Sequence, residues 1–387
     1  MSLERLVSSR IVAAAAPLVV LLGAHPGASA PFGEPLRISL PRGVRPTAVK
    51  AADLNGDGRL DLVVLSESGD ALLLLGDGHG GFRPSPPVAA GANPTAMVIA
   101  DLDRDGKLDV VVANHESAYL TLLKGDGAGR FVARALPLRV VPHPHAVAVG
   151  DFDEDGKPDI AVDSWGENRI VLLFGKDGWK GPGTPVDVGT NPYYTLEAAD
   201  LDGDGHLDLV APNWGKGTVS ILLGDGKGRF AHAPGSPFRA GPTPFAAAVA
   251  DVNGDGRLDV VVANYSGHAS DTANDGLTWI RNEGGRQFMP FPERIAKGGY
   301  VARLATGDVD GDGITDVAFS NTNGDSVTVL YGSKSGPRTG DSVRTMRRPH
   351  ALALADLDGD GRADLVVTGE GSAELLVFLT AVARPPR

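Results

Sequence analysis

"DLDRDGKLD", Asp101 to Asp109, places aspartate at its first, third, fifth and ninth positions and glycine at its sixth. Four carboxylates this close repel one another, so a chain that keeps them together needs a cation to neutralise them. The stretch has six relatives: "DLNGDGRLD" at Asp53, "DFDEDGKPD" at Asp151, "DLDGDGHLD" at Asp200, "DVNGDGRLD" at Asp251, "DVDGDGITD" at Asp308 and "DLDGDGRAD" at Asp356. Their starts are 48, 50, 49, 51, 57 and 48 residues apart. A period near 50 through the chain argues for a repeat architecture and against an ordinary two-domain enzyme.

Each repeat has the same grammar. A short apolar stretch precedes the loop ("HAVAVGD") and a β-rich run follows it ("LDVVVAN"). A third strand ends at a glycine turn ("TVSILLGDGKGRF"), and a weaker fourth strand leads to a Pro-containing turn such as "TNPYY". Short strands between turn signals, with no helical period, predict an all-β chain. Four antiparallel strands per unit, repeated radially, predict a β-propeller, here of seven blades. The last repeat runs out after its third strand, "AELLVFL", whereas "FGEPLRISL" near the start matches the fourth-strand pattern. Residues 32 to 40 are therefore expected to supply the outer strand of the seventh blade, which ties the ends together and leaves no loose edge.

Units such as "EAADLDGDGHLDLVAPN" followed by "VSILLGDGKGRF" resemble the FG-GAP and VCBS repeat family and the calcium-loop blades of integrin α-subunit propellers. The resemblance runs from about residue 44 to 380. It implies a propeller but no one activity, because the family includes adhesins, lectins, lyase domains and many proteins without an assigned role.

Hard oxygen ligands around a tight glycine turn suit Ca²⁺. The side-chain ligands expected are Asp53, Asn55, Asp57 and Asp61; Asp101, Asp103, Asp105 and Asp109; Asp151, Asp153, Asp155 and Asp159; Asp200, Asp202, Asp204 and Asp208; Asp251, Asn253, Asp255 and Asp259; Asp308, Asp310, Asp312 and Asp316; Asp356, Asp358, Asp360 and Asp364. The carbonyl at the seventh place adds Arg59, Lys107, Lys157, His206, Arg257, Ile314 and Arg362. An EF-hand would carry glutamate at place twelve; here that place is Val64, Val112, Val162, Ala211, Val262, Phe319 or Val367, so the loop joins two strands. Up to seven structural calcium ions are expected, with dissociation constants of roughly 10⁻⁴–10⁻³ M, as in extracellular modules.

Residues 1–30 carry a basic start (Arg5, Arg10), an apolar run from Ile11 to Gly23 and a small-residue "ASA" site, the pattern of a cleaved secretory signal. The run is short of the roughly 20 apolar residues of a membrane span. The expected mature chain, 31–387, is a single propeller, monomeric and secreted or periplasmic. Without residues 1–30 the charge is −13, and seven divalent cations would bring it to about +1. Acidity thus belongs to the loops, and nucleic acid is excluded as a partner. There is no cysteine, so disulfides, zinc–thiolate sites and thiol nucleophiles are excluded. "GDGHGG" at Gly76 matches a dinucleotide fingerprint by letters, but no helix follows it.

Strand alternation puts the acidic loops on one face of the ring. The opposite face receives His143, His145, Tyr193, Tyr194, Phe245, Tyr300 and His350 from the turns between blades. The loops between second and third strands add His115, Glu116, Trp165, Trp214, Tyr265 and His268. Aromatics are only 6% of the chain, yet four of its six tyrosines fall here. Such a face stacks on sugar rings or other flat apolar groups; the competing reading is that the rings plug the turns. Trp165 and Trp214, each beside a glycine in a polar loop, are the leading binding residues, with His145, Tyr194 and Glu197. Three places before the loops, along the axis, stand Lys50 and Glu197 among apolar residues, with Arg303 nearby. They predict an axial ion pair or a ligand in the channel. The long fifth-repeat loop, Tyr265 to Gly276, carries Asp271 and Asp275 on the same face.

The reading adopted is a secreted calcium-binding module for glycans or a surface protein. The alternative is a lyase-like enzyme on polysaccharide, using His145, Glu197, Tyr194 or Glu116 as acid or base. No serine elbow, zincin motif or P-loop is present, and no catalytic pair is assigned.

Overall fold

Each acidic loop turns a short inner strand into a second strand that is buried along its length, save the half-buried Asn321 in blade six. The computed structural model describes residues 32–381 apart from 138–142, 165–166, 168, 181, 189–191, 193, 266–275, 292–294, 297–300 and 302. The inner strands are Pro46–Ala52, Pro94–Ala100, Val147–Gly150, Glu197–Ala199, Pro244–Ala250, Leu304–Gly307 and Pro349–Ala355. The second strands are Asp61–Ser66, Asp109–Asn114, Asp159–Ser164, Asp208–Asn213, Asp259–Asn264, Asp316–Asn321 and Asp364–Gly369. Third and outer strands complete seven antiparallel sheets, as in blade one with Asp70–Gly76 and Phe82–Pro84. The structure is thus a seven-bladed propeller of four-stranded blades. Among the described residues there is no α-helix, and none that could cross a membrane.

The second strands are continuous β-branched and aliphatic runs because both of their faces are covered. In blade one, Leu62 and Val64 enter a core shared with blade seven, whereas Val63 and Leu65 enter one shared with blade two. Side chains alternate between neighbours because the strand period is two. The same division recurs around the ring, so the core lies between blades rather than at the axis. Near the axis the inner strands converge and small residues dominate: Ala148, Ala248 and Ala353 are buried there.

Leu36–Ser39 lies antiparallel to Glu374–Phe378, with Leu36 opposite Val377 and Ser39 opposite Glu374. Phe32 bridges to Thr380 beyond it. The seventh sheet therefore takes its outer strand from the start of the described chain and its other three from the end. The first 31 residues, including the expected signal segment, lie outside the described residues.

Candidate functional site

The acidic loops are held by their own carboxylates. Asp53 Oδ1 accepts from the Gly56 N–H at 2.8 Å and its Oδ2 from the Gly58 N–H at 2.8 Å. Asp200, Asp251, Asp308 and Asp356 repeat both bonds. The carboxylate at place five accepts from the N–H at place seven in every loop, for example Asp312 from Ile314 and Asp155 from Lys157. Gly56 and Gly58, at φ +74° and +81°, make the tight turn that brings these groups together.

The ninth aspartate does something more. Asp208 Oδ1 accepts from the Gly224 N–H at 2.8 Å and Oδ2 from the Leu201 N–H at 2.8 Å. Its Oδ1 bond ties the loop to the end of the third strand. Asp61, Asp109, Asp159, Asp259, Asp316 and Asp364 make the same tie, to Gly76, Gly125, Gly175, Asn282, Gly332 and Thr380. All seven are essentially inaccessible. Burial, opposed by these bonds and reinforced by neighbouring carboxylates, pushes Asp159 and Asp208 up to about 7 and Asp316 up to about 8. Sequence reasoning treated place nine only as a ligand and missed this strap.

Five loops bring three carboxylate oxygens within 4.8 Å of one another: Asp101, Asp103 and Asp109; Asp151, Asp153 and Asp159; Asp200, Asp202 and Asp208; Asp308, Asp310 and Asp316; and Asp356, Asp358 and Asp360. These clusters are suited to a metal ion: all-oxygen donors with like charges crowded together. The two remaining loops carry Asn55 and Asn253 at place three. At place seven, Arg59, Arg257 and Arg362 fold back onto Asp57, Asp255 and Asp360, the last pair at 2.7 Å. Lys107 does the same to Asp105 at 3.6 Å, and His206 Nδ1 lies 2.5 Å from Glu154. Blade four is served from its neighbour, by Arg286 on Asp202 and Asp204 at 2.7 and 2.9 Å.

On the opposite face the blades differ from one another. Thr47, Thr95, His145, Tyr194, Phe245 and His350 each stand six residues before the first aspartate of the next loop. Equal register delivers them to the same height around the axis. Most of them, with His115, Glu116 and Arg303, line a cavity of about 600 Å³; a second of about 340 Å³ is lined by Tyr194, Phe245, Tyr265, Arg303 and His350. Their rings form a row. Centroids are 3.9 Å apart for His115–His145, 5.7 Å for His145–Tyr194, 4.0 Å for Tyr194–Phe245 and 5.1 Å for Phe245–Tyr265. His143 joins the row beside His115 at 5.4 Å. The Arg303 guanidinium lies 4.4 Å from the Tyr194 ring centre and 5.7 Å from that of Phe245, which is cation–π range.

Hydroxyls latch this rim from blade to blade: Thr47 Oγ1 donates to the Pro94 carbonyl at 2.9 Å and Thr95 Oγ1 to that of His145 at 3.1 Å. The wholly buried Asp163 accepts from the His145 and Ala146 N–H groups at 2.7 and 2.6 Å, and burial pushes its carboxyl up to about 7. Burial, then the positive charges nearby, drives His145 and His350 down to about 3, with Arg303 contributing to both. At neutral pH the His145 and His350 imidazoles are therefore neutral, and the guanidinium groups of Arg303 and Arg348 reach the mouth cavities beside them. At the rim, Glu67 pairs with Arg45 at 3.7 Å and Glu370 with Arg348 at 2.8 Å.

Several expectations need correction or fall outside view. Trp214 lies on a short 3₁₀ turn, 37% exposed, and lines neither cavity. Trp165, Tyr193, His268, Asp271, Asp275 and Tyr300 lie outside the described residues. Lys50 and Glu197 stand on the inner strands of blades one and four, and no salt bridge within 4.0 Å joins them. Enclosure by the blades raises the Glu197 carboxyl, and the more distant charge of Lys50 only partly offsets it. Arg303, expected along the axis, instead lines both mouth cavities. Its signal in the sequence was weak, because it stands one place out of step with the other rim residues.

Among solved structures, the chain is similar to BBS1N in its complex with ARL6DN, at 13% identity and a TM-score of 0.64 over 92% of this chain and 98% of that one. It is also similar to hydrazine synthase from Kuenenia stuttgartiensis, at 15% identity and 0.60 over 93% and 100%. A catalytically inactive variant of virginiamycin B lyase from Staphylococcus aureus, with quinupristin, matches at 13% and 0.58 over 90% and 99%. At these identities the likeness is one of fold. A search of the curated proteins found no match. The FG-GAP-like repeat model matches residues 53–112, 101–162, 200–262 and 308–367, more than half of the chain, and the chain belongs to that repeat family.

Proposed function

We propose that the protein is an exported, calcium-stabilised binding module whose ligand, a glycan or an exposed surface of another protein, enters the propeller mouth. The row of rings from His115 to Tyr265 around a concave cavity carries this reading. Concave sites with flat apolar walls and a few placed polar groups are the usual form of a ligand pocket. Plugging the turns would need buried rings, whereas Tyr194, Phe245 and Tyr265 stay partly open to the cavities.

Calcium would be held by the aspartates at places one, three, five and nine, with Asn55 and Asn253 replacing carboxylates in two loops. When bound it supplies positive charge that relieves repulsion inside each loop. Export follows from the expected signal segment, residues 1–30. A monomer remains the expected state.

The test is binding of the calcium-loaded chain to a broad polysaccharide panel, with Tyr194→Ala and Phe245→Ala alongside. Binding lost roughly tenfold in either variant, with calcium-dependent stability unchanged, supports the mouth. Undiminished binding in both variants refutes it. A second reading, an enzyme acting on polysaccharide, is favoured by one observation: the neutral imidazole of His145 beside the Tyr194 phenol and Arg303. Chain cleavage in the same panel would move the assignment to that reading.

A further inference from the structure

We propose that the acidic loop of blade six, Asp308 to Asp316, is the high-affinity calcium site of the ring and fills well before the other six. This ranking rests on the calcium reading of the loops and adds which of them leads.

Six loops carry a cation of their own. Arg59, Arg257 and Arg362 lie on Asp57, Asp255 and Asp360. In blade two Lys124 reaches Asp103, and Asp105 at 3.5 Å. In blade three Lys176 lies 2.5 Å from Asp153, and in blade four Arg286 bridges Asp202 and Asp204. These bases come from place seven, from the end of the third strand, from the turn after it and from a neighbouring blade. Blade six differs. Among the described residues no lysine, arginine or histidine lies within 4.0 Å of Asp308, Asp310, Asp312 or Asp316. Its place seven is Ile314, where every other loop has arginine, lysine or histidine. Arg338, whose charge is felt at Asp310, stays over the Tyr331 ring at 5.3 Å.

Calcium affinity in oxygen sites is set by the charge of the ligands and the rigidity of the loop. A unit positive charge about 4 Å from a divalent ion opposes it roughly 30-fold even in water. In six loops calcium must therefore push a base aside or share its carboxylates. Lys124, Lys176 and Arg286 have side chains about half exposed, so they can swing outward, which leaves a penalty of roughly tenfold. In blade six four carboxylates meet the ion with no base to displace. The same loop is tied to both neighbours. The Ala363 N–H of blade seven donates to the Asp308 carbonyl at 2.6 Å, and the Thr315 N–H donates to the Asp251 carbonyl of blade five at 3.3 Å. An ion in blade six thus braces the loops on either side of it.

The experiment is calorimetry of calcium into the chelator-stripped full chain, with melting curves in chelator alongside. One step tighter than the rest by roughly tenfold or more is expected. Asp310→Asn should remove that step and leave the weaker ones. Ile314→Arg keeps every expected ligand, because place seven offers its backbone carbonyl, and adds the base that the other loops have; it should weaken the tight step roughly tenfold. Ile314→Leu keeps the loop neutral and should bind as the parent chain does. Ile314 lies against Gly254 of blade five, so the converse change is made at a more exposed residue. Arg286→Gln releases Asp202 and Asp204 and should create a second tight step in blade four. Cooperative melting in chelator shows that each variant is folded. Steps of one common affinity, a tight step that survives Asp310→Asn, or no tightening in Arg286→Gln would overturn the ranking and leave calcium binding standing. No calcium binding at all would refute both the ranking and the calcium reading of the loops.

Discussion

The two faces of this ring follow opposite rules. On one face seven loops repeat a single strap from the ninth aspartate, down to which oxygen accepts from the N–H at the end of the third strand. On the other, the same register position is filled by Thr47, Thr95, His145, Tyr194, Phe245 and His350, six positions with four residue types. Repetition on the loop face follows from geometry, since every blade must make the same turn and bury the same neighbour. Nothing in the fold demands variety at the mouth, and a ligand that contacts several blades at once gains from it. The difference fits the proposed division, with stability on one face and binding on the other, and that division can be broken.

Calcium removal should give the largest effect. With dissociation constants of roughly 10⁻⁴–10⁻³ M and 1 mM free calcium, each filled loop adds about 0.4–1.4 kcal/mol, or about 3–10 kcal/mol for seven. Denaturant titrations across calcium concentrations also count the sites, because each saturated loop contributes about 1.4 kcal/mol per tenfold rise. A slope near seven such steps means that the loops with Asn55 and Asn253 fill too. A slope near five would restrict binding to the loops with three clustered carboxylates. No dependence on calcium would end the structural-ion reading.

Asp208→Ala comes next. It strips acceptors from the Leu201 and Gly224 N–H groups in a buried setting, at about 1–3 kcal/mol for each donor, so about 2–6 kcal/mol in all. The loss should appear in chelator as well as in calcium, since these bonds need no metal. Asp358→Asn, which imitates the natural Asn55 and Asn253, should change stability in chelator little and weaken calcium binding. If Asp208→Ala is silent in chelator, place nine is a ligand only and the strap is not structural.

The double role of place nine shows where the sequence stopped speaking. Period, strand grammar and the apolar twelfth place made the propeller legible, because a blade must meet the same packing conditions seven times. They could not separate a ligand from a strap, since one buried aspartate serves as both. At the mouth, counting six residues back from each loop locates most of the rim, because alternation fixes height. It does not fix distance from the axis, so Trp214, polar in its surroundings and beside a glycine, lies away from both cavities. Nor does it fix azimuth: Lys50 and Glu197 share a height, but blades one and four stand across the ring from each other.

Asp163→Asn probes the support beneath His145 through pH. Folding raises this carboxyl from 3.8 to about 7, so between those values the folded chain holds a proton that the unfolded chain has lost. The native protein therefore loses stability as pH rises through that window, whereas the amide does not titrate. The stability difference in favour of Asp163→Asn should grow from pH 4 to pH 7 and then level off, by up to about 4 kcal/mol. Paired melting curves in saturating calcium check this. A difference independent of pH would mean that the charge is compensated inside the fold, and a growth with falling pH would reverse the sign of the argument.

Arg104→Gly should give the smallest effect, and it returns to the repeated face. At place four, five loops carry a glycine with positive φ, among them Gly56 at +74° and Gly203 at +78°. Arg104 and Glu154 occupy the same left-handed turn at +61° and +54°, a conformation that costs a residue with a Cβ about 1 kcal/mol or more. Glycine removes that strain but gains freedom in the unfolded chain, so the net stabilisation should be about 0.5–1 kcal/mol. It should be the same in calcium and in chelator, because the hydrogen bonds from the Asp105 and Gly106 N–H groups to Asp101 hold the turn without an ion. Glu154→Gly should gain less, since it also removes the 2.5 Å contact with His206 that joins the loops of blades three and four. If Arg104→Gly stabilises only in chelator, the ion rather than the carboxylates imposes the turn, and the loop face is less self-sufficient than its hydrogen bonds imply.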